Sequence, residues 1–209
     1  SQNDGFMVQT SRGAIKAHNI VAATGPFQTP VIPSIITDDR ISQIHSFDYR
    51  NPKQLDDGAV LIVGAGSSGS QIADELLRAG RKVYLSIGPH ERPPRSYRGK
   101  DFVWWLGTLG KWQMQTPPIG KEHVTIAVSG AYGGKTVDFR KFAHRGMKLI
   151  GMTKAYANGV ITIADDLAKN IANGDINYLG LLAEADEYIK ENNLDFPAEE
   201  DAKIIKPDP

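Results

Sequence analysis

The residues best suited to chemistry lie in one short stretch, Gly64-Ala65-Gly66-Ser67-Ser68-Gly69. Three glycines at this spacing form a G-x-G-x-x-G turn, whose chemistry is the binding of a diphosphate. Gly64 permits a tight turn, Gly66 lets a pyrophosphate approach the backbone, and Gly69 allows a following helix to pack closely on the preceding strand. The turn has meaning only with a strand before it and a helix after it. Both are present. Val60–Val63 is an apolar, β-branched run, and Ile72, Ala73, Leu76 and Leu77 fall on one helical stripe that stops at Gly80. The start of that helix would offer unpaired N–H groups and a positive dipole end to an anion. A glycine-rich turn in some other α/β domain is the alternative reading, and the flanking strand and helix weigh against it.

The nucleotide preferred is read further on. An acidic residue about 20 positions after the glycines binds the ribose 2′-hydroxyl of NAD. Here that window is Val83-Tyr84-Leu85-Ser86-Ile87-Gly88, which contains no carboxylate, and Arg92, Arg95 and Arg98 follow it. Guanidinium groups make charge-assisted, often bidentate contacts to phosphate. Ser86 adds a hydroxyl donor. The pattern predicts NADP, with Ser86, Arg92 and Arg95 near its 2′-phosphate. Solvated loop arginines are the competing reading, and Glu91, if turned inward, would reverse the preference.

Composition narrows the remaining possibilities. The 209-residue chain has no cysteine, which removes disulfides, thiolate metal sites and thiol nucleophiles. Its 24 basic and 24 acidic residues cancel, so no bulk field favours nucleic acid or an anionic membrane. No apolar run approaches the roughly 20 residues needed to span a bilayer. These features fit a cytoplasmic protein. No residue stands out as a general acid, general base, nucleophile or metal ligand. The opening Ser-Gln-Asn-Asp-Gly, without a starting Met, suggests a fragment.

The elements that must position the turn can be placed by pattern. Phe6–Gln9 and Ala14–His18 form a predicted β-hairpin around Ser11-Arg12-Gly13. Residues 34–57 read as a linker containing His45, Phe47 and Tyr49. The central unit is a strand at 59–63, a helix at about 68–78 and a strand at 82–87. A proline- and arginine-rich loop over 88–99 comes next. A helix is expected over 101–111, with Trp104-Trp105 in its packing, and a strand over 124–128. Residues 137–143 suit strand or helix. Strands are predicted at 147–152 and 160–163. A short helix over 165–173 should end at Gly174, and a separate helix should run over 178–193. Strand–helix alternation around the glycine turn predicts an α/β, Rossmann-like, doubly wound parallel sheet with a small β element at the N-terminus. The expected division is 1–33 for the hairpin and following strand, 34–57 linker, 58–163 nucleotide domain and 164–209 C-terminal helical part.

Four features resemble the flavin-containing monooxygenases and Baeyer–Villiger enzymes, in particular a bacterial branch described as flavoproteins involved in potassium transport. These are Val21-Ala22-Ala23-Thr24-Gly25, Pro30-x-x-Pro33, His45-Ser46-Phe47-Asp48-Tyr49 and the Gly64–Gly69 turn. The stretch Arg-Ser-Tyr-Arg-Gly-Lys-Asp and Trp104-Trp105 are similar to the bacterial branch. Asp39 and Ile41 stand where the family fingerprint has Phe and Gly.

The resemblance implies a two-dinucleotide-domain flavoprotein in which NADPH reduces FAD and the reduced flavin activates oxygen for insertion into a small organic substrate. Thr24, Gly25 and His45 would lie at the junction with the flavin domain. The family's separate flavin-binding glycine turn has no counterpart here, so this chain would be the NADP-binding portion, inactive alone, whose partner is that missing domain. Another two-domain flavin reductase is one alternative, and a nucleotide-sensing Rossmann module associated with potassium transport is another.

Overall fold

The structure is a computed structural model that describes residues 5–23, 29–113 and 125–205. Thr24 and Gly25 lie outside the described residues, as does Val124, the first residue of the strand expected over 124–128. The chain divides into two units, 1–31 and 32–209.

The first unit contains a hairpin of β1 (Phe6–Thr10) and β2 (Gly13–Ala17), paired antiparallel from Phe6↔Ala17 to Thr10↔Gly13. Gly13 has φ +117°, the positive value that this tight connection needs. Phe6, Met7 and Ile15 are all more than half exposed.

The second unit is built on a three-stranded parallel sheet. After β3 (Val60–Val63) the chain forms α1 (Ser67–Arg78) and returns as β4 (Val83–Ser86). Leu76 and Ala73 of α1 are fully buried against this sheet, as the apolar stripe predicts. The helix stops at Gly80, whose φ of +79° lets its N–H reach the Leu77 carbonyl (3.1 Å).

Beyond β4 the predicted loop contains two short strands, β5 (His90–Glu91) and β6 (Ser96–Tyr97). Then come β7 (Lys100–Asp101), which pairs with β6, and α2 (Phe102–Thr108), capped by the Asp101 carboxylate. Trp105 of α2 is completely buried, as expected of core, while Trp104 is 38% exposed. β8 (Thr125–Ile126) pairs in parallel with β5.

The stretch whose pattern suited either strand or helix is helical, α3 (Phe139–His144), because the Asp138 carboxylate accepts the Arg140 N–H and starts the turn. β9 (Lys148–Ile150) completes the sheet in the order β3-β4-β9, with Ile62↔Leu85 and Leu85↔Leu149 in register. A second hairpin, β10 (Thr153–Ala157) with β11 (Val160–Ile163), precedes α4 (Leu167–Glu191).

The expectation of two C-terminal helices broken at Gly174 is corrected. α4 is one helix of 25 residues, about 37 Å long. Gly174 does not end it. Instead, a Cβ at Gly174 would collide with the His90 imidazole, which is buried and packs edge-on against Phe139 (centroids 5.0 Å apart). The glycine is there for close approach. Tyr97, Trp105, Tyr178, Leu182, Ala185 and Ile189 then form a second core under α4.

Gly174→Ala should lower the urea midpoint, because overpacking costs about 1–3 kcal/mol and outweighs the ~1 kcal/mol gain in helix propensity. With His90→Ala in the background, the same substitution should become neutral or stabilising.

Candidate functional site

The site begins where β3 runs out. Gly64 has φ +98°, and its N–H donates to the Ser86 carbonyl (3.1 Å), holding the turn in register with β4. A Cβ at Gly69 would overlap the Gly64 carbonyl oxygen, so only glycine lets α1 start this close to the turn. Gly66 is the N-cap of α1, with no side-chain cap, and the first turn carries no acidic residue. The first bonded amide is that of Ser70, which donates to the Gly66 carbonyl (2.8 Å). The amides of Ser67, Ser68 and Gly69 precede it and have no intrahelical acceptor. Ala65 is buried under them.

The three serines of this turn are used differently. The Ser70 hydroxyl donates back to the Ala65 carbonyl (2.9 Å). The Ser67 hydroxyl donates to the Ile126 carbonyl (3.0 Å) and accepts from the Val128 N–H (3.3 Å). Ser68 is exposed. The result is a short arc of N–H donors at a positive helix end, beside one exposed hydroxyl, with no acidic residue in the first turn of the helix to oppose an anion.

The side chains expected near a 2′-phosphate have partners within the protein. Ser86 is buried, donates to the Gly151 carbonyl (3.0 Å) and accepts from the Thr153 N–H (2.9 Å), which ties β4 to the start of β10. Arg92 is 6% exposed. It is ion-paired with Asp175 (2.7 Å), donates to the Val137 carbonyl (3.3 Å), and its guanidinium lies 4.6 Å from the Tyr178 ring centroid. Arg140 binds the same carboxylate (2.8 Å). Arg95 pairs with Asp101 (2.9 Å), and Arg98 with Asp186 (2.8 Å). Glu91 is half-buried in β5, opposite Ile126. Of the three arginine pairs, that of Arg95 is the most open to solvent, with its guanidinium side chain 26% and Asp101 45% exposed.

Sequence reasoning missed what these arginines hold. Arg92 and Arg98 brace the loop after β4 to α4, with partners 83 and 88 residues away. No local spacing signals such pairs. The linker makes a similar contact. Tyr49 donates its hydroxyl to Glu75 of α1 (2.8 Å), and burial together with that carboxylate raises its pKa. His45 is half-buried, and its Nδ1 accepts the Phe47 N–H (3.1 Å), so it shapes its own turn. Among the described residues, no group of His, Asp and Glu could hold a metal ion. No helix among them is long and apolar enough to cross a membrane.

Comparison with known proteins adds ancestry to this geometry. A family described as pyridine nucleotide-disulphide oxidoreductase matches residues 1–109, just over half of the chain. An "uncharacterized oxidoreductase CzcO-like" of Geobacillus kaustophilus is 47% identical over 109 residues, covering 50% of this chain and 31% of that protein. The flavin-containing monooxygenase iboF of Amanita muscaria is 36% identical over 43% of this chain and 18% of its own length. Flavin-containing monooxygenase 5 of Cavia porcellus is 28% identical over 68% of this chain and 26% of its own length. The chain therefore spans about a third or less of the relatives it matches. No solved structure matches. The resemblance read from the motifs is borne out by these relatives.

Two outcomes follow from the braces. Arg92→Ala leaves Asp175 buried with one of its two cations and should destabilise the protein by on the order of 3 kcal/mol in urea denaturation. The Tyr97 phenol is pushed up to about 12 by burial and by its hydrogen bonds to Asp186. A phenol in the unfolded chain ionises near 10, so this contribution is complete below about pH 10 and is lost as pH rises to about 12. Tyr97→Phe should flatten that alkaline slope in pH-dependent denaturation.

Proposed function

The chain belongs to the pyridine nucleotide-disulphide oxidoreductase family, and on that premise we propose that it is the NADP-binding portion of an FAD-dependent, monooxygenase-like oxidoreductase. The observation that carries this reading is the turn between β3 and α1. Its positive φ at Gly64, the Cβ-free contact of Gly69 with the Gly64 carbonyl, and a helix start without an acidic residue together fit a diphosphate. The strand order β3-β4-β9 with α1 crossing between the first two strands supports one half of a Rossmann-like, doubly wound sheet.

In this reading the chain's own residues bind and orient. The amides of Ser67, Ser68 and Gly69 hold the diphosphate, and the exposed Ser68 hydroxyl adds a donor. Gly64, Ala65 and Gly66 shape the floor. The end of β4 carries no carboxylate to repel a 2′-phosphate. Arg95, in the most open of the three arginine pairs, is the guanidinium proposed to exchange Asp101 for it. Arg92 holds the fold of the loop rather than the phosphate. NADPH, when bound, supplies a hydride for a flavin held largely by parts of the whole protein outside these residues. Thr24, Gly25 and His45 are proposed to border that junction, and a small organic substrate and a cytoplasmic setting belong to the same proposal. A nucleotide-sensing module would use the same turn without a flavin. A flavin-containing monooxygenase among the relatives favours the oxidoreductase.

Calorimetric titration tests the reading. NADP should bind more tightly than NAD, and equal affinity would remove the 2′-phosphate assignment. Ser68→Asp places a carboxylate in the first turn of α1 and should weaken NADP at least about tenfold with the near-UV spectrum unchanged. Undiminished binding in that variant would move the diphosphate away from this turn.

A further inference from the structure

Ser67 is the first residue of α1 and lies inside the glycine turn, where a hydroxyl would ordinarily be read as a phosphate ligand. Its bonds point elsewhere. Its Oγ donates to the carbonyl of residue 126 and accepts from the N–H of residue 128, partners 59 and 61 positions away. These two backbone groups lie on the same edge of an extended segment. Between them Ala127 faces the opposite way, and its N–H donates to the Glu91 carbonyl (2.8 Å). The segment following β8 is therefore held on one side by β5 and on the other by a single serine hydroxyl, which takes the place of a neighbouring strand.

What this hydroxyl fastens is the stretch that passes the start of α1. Ala127 is fully buried, so the segment is anchored from beneath. Immediately after Val128 the chain reaches Ser129 and Gly130. Ser129 caps its own turn by accepting the Ala131 N–H (3.1 Å), and a Cβ at Gly130 would meet nothing within 4 Å. Val128 thus borders the start of α1 through the Ser67 hydroxyl, and the chain opens to solvent at Gly130. Ser68, one residue on, is the exposed hydroxyl, and Ser70 is turned back on Ala65.

We propose that Ser67 is a positioning residue, whose hydroxyl holds the Ile126–Val128 segment as a side wall of the dinucleotide cradle and does not itself contact the phosphates. This rests on the nucleotide reading above. It divides the motif's serines by task, with Ser67 fixing the wall, Ser68 meeting the ligand and Ser70 closing the helix start.

The test compares the parent chain with Ser67→Ala, Ser67→Thr and Ser68→Ala, using amide hydrogen exchange without nucleotide and calorimetry with NADP. Ser67→Ala should speed exchange of the Val128 amide by about tenfold, the scale of one lost hydrogen bond, and weaken NADP by several-fold. Ser67→Thr, which keeps the hydroxyl, should restore both. Ser68→Ala should weaken NADP and leave Val128 exchange unchanged. If Ser67→Ala weakens NADP with no change at Val128, the hydroxyl touches the nucleotide and the positioning role is wrong. Faster exchange with unaltered affinity would show that the segment is no wall, which also overturns it. A parent chain that binds no NADP defeats the nucleotide reading itself, and the positioning role with it.

Discussion

At the end of β3 a carbonyl oxygen and an α-carbon come too close for any side chain to stand between them. A Cβ at Gly69 would overlap the Gly64 oxygen, and that absent atom allows α1 to begin directly at the end of the sheet. The positive φ of Gly64 turns the chain there, while its N–H stays bonded to β4. Everything at the candidate site depends on this approach. If the helix began a few ångströms further out, its free amides would no longer lie over the strand ends, and the Ser67 hydroxyl would not reach the segment after β8.

The same region shows how charge is used elsewhere. The loop after β4 is rich in arginine, but the guanidinium groups of Arg92 and Arg98 stabilise the protein by meeting carboxylates on α4. Asp175 receives two of them, Arg92 and Arg140, and Arg92 also stacks on Tyr178. A buried carboxylate with several donors is well compensated, and removal of one donor leaves a charge that is costly to keep dry. These pairs hold a loop with only two-residue strands in a defined path. The carboxylates of Asp175 and Asp186 both lie on the continuous helix α4, and Gly174 within it makes room for His90.

Much of the fold was legible because its signals are local. The β-branched run of β3, the stripe on α1 and the Gly80 stop lie within about twenty residues of one another, and each appears where the pattern places it. The hairpin of β1 and β2 is equally local. Gly174 shows where this reasoning runs out. In sequence a glycine after a helical run reads as a terminator, since glycine weakens helices and favours their ends. Here the bulk of an imidazole on β5, far away in sequence, is the reason for it. The arginines show the same limit. Their type suggests an anion, and local spacing does not reveal that Arg92 and Arg98 meet carboxylates of α4.

The amino-acid order alone determined the glycine turn with the strand and helix on either side of it, and it carried the motifs that resemble flavin-containing monooxygenases. The turn and its flanks follow from residue types at fixed short spacing, where backbone geometry dictates what can form. Only the tertiary structure decided which groups remain open to a ligand. It buried Ser86 and Arg92 in internal bonds, left Ser68 exposed, and joined Ser67 to a segment 59 residues away. Those outcomes depend on which distant surfaces meet when the core closes. A hydroxyl or guanidinium takes whichever partner that packing brings within about 3 Å, and sequence spacing does not encode the choice.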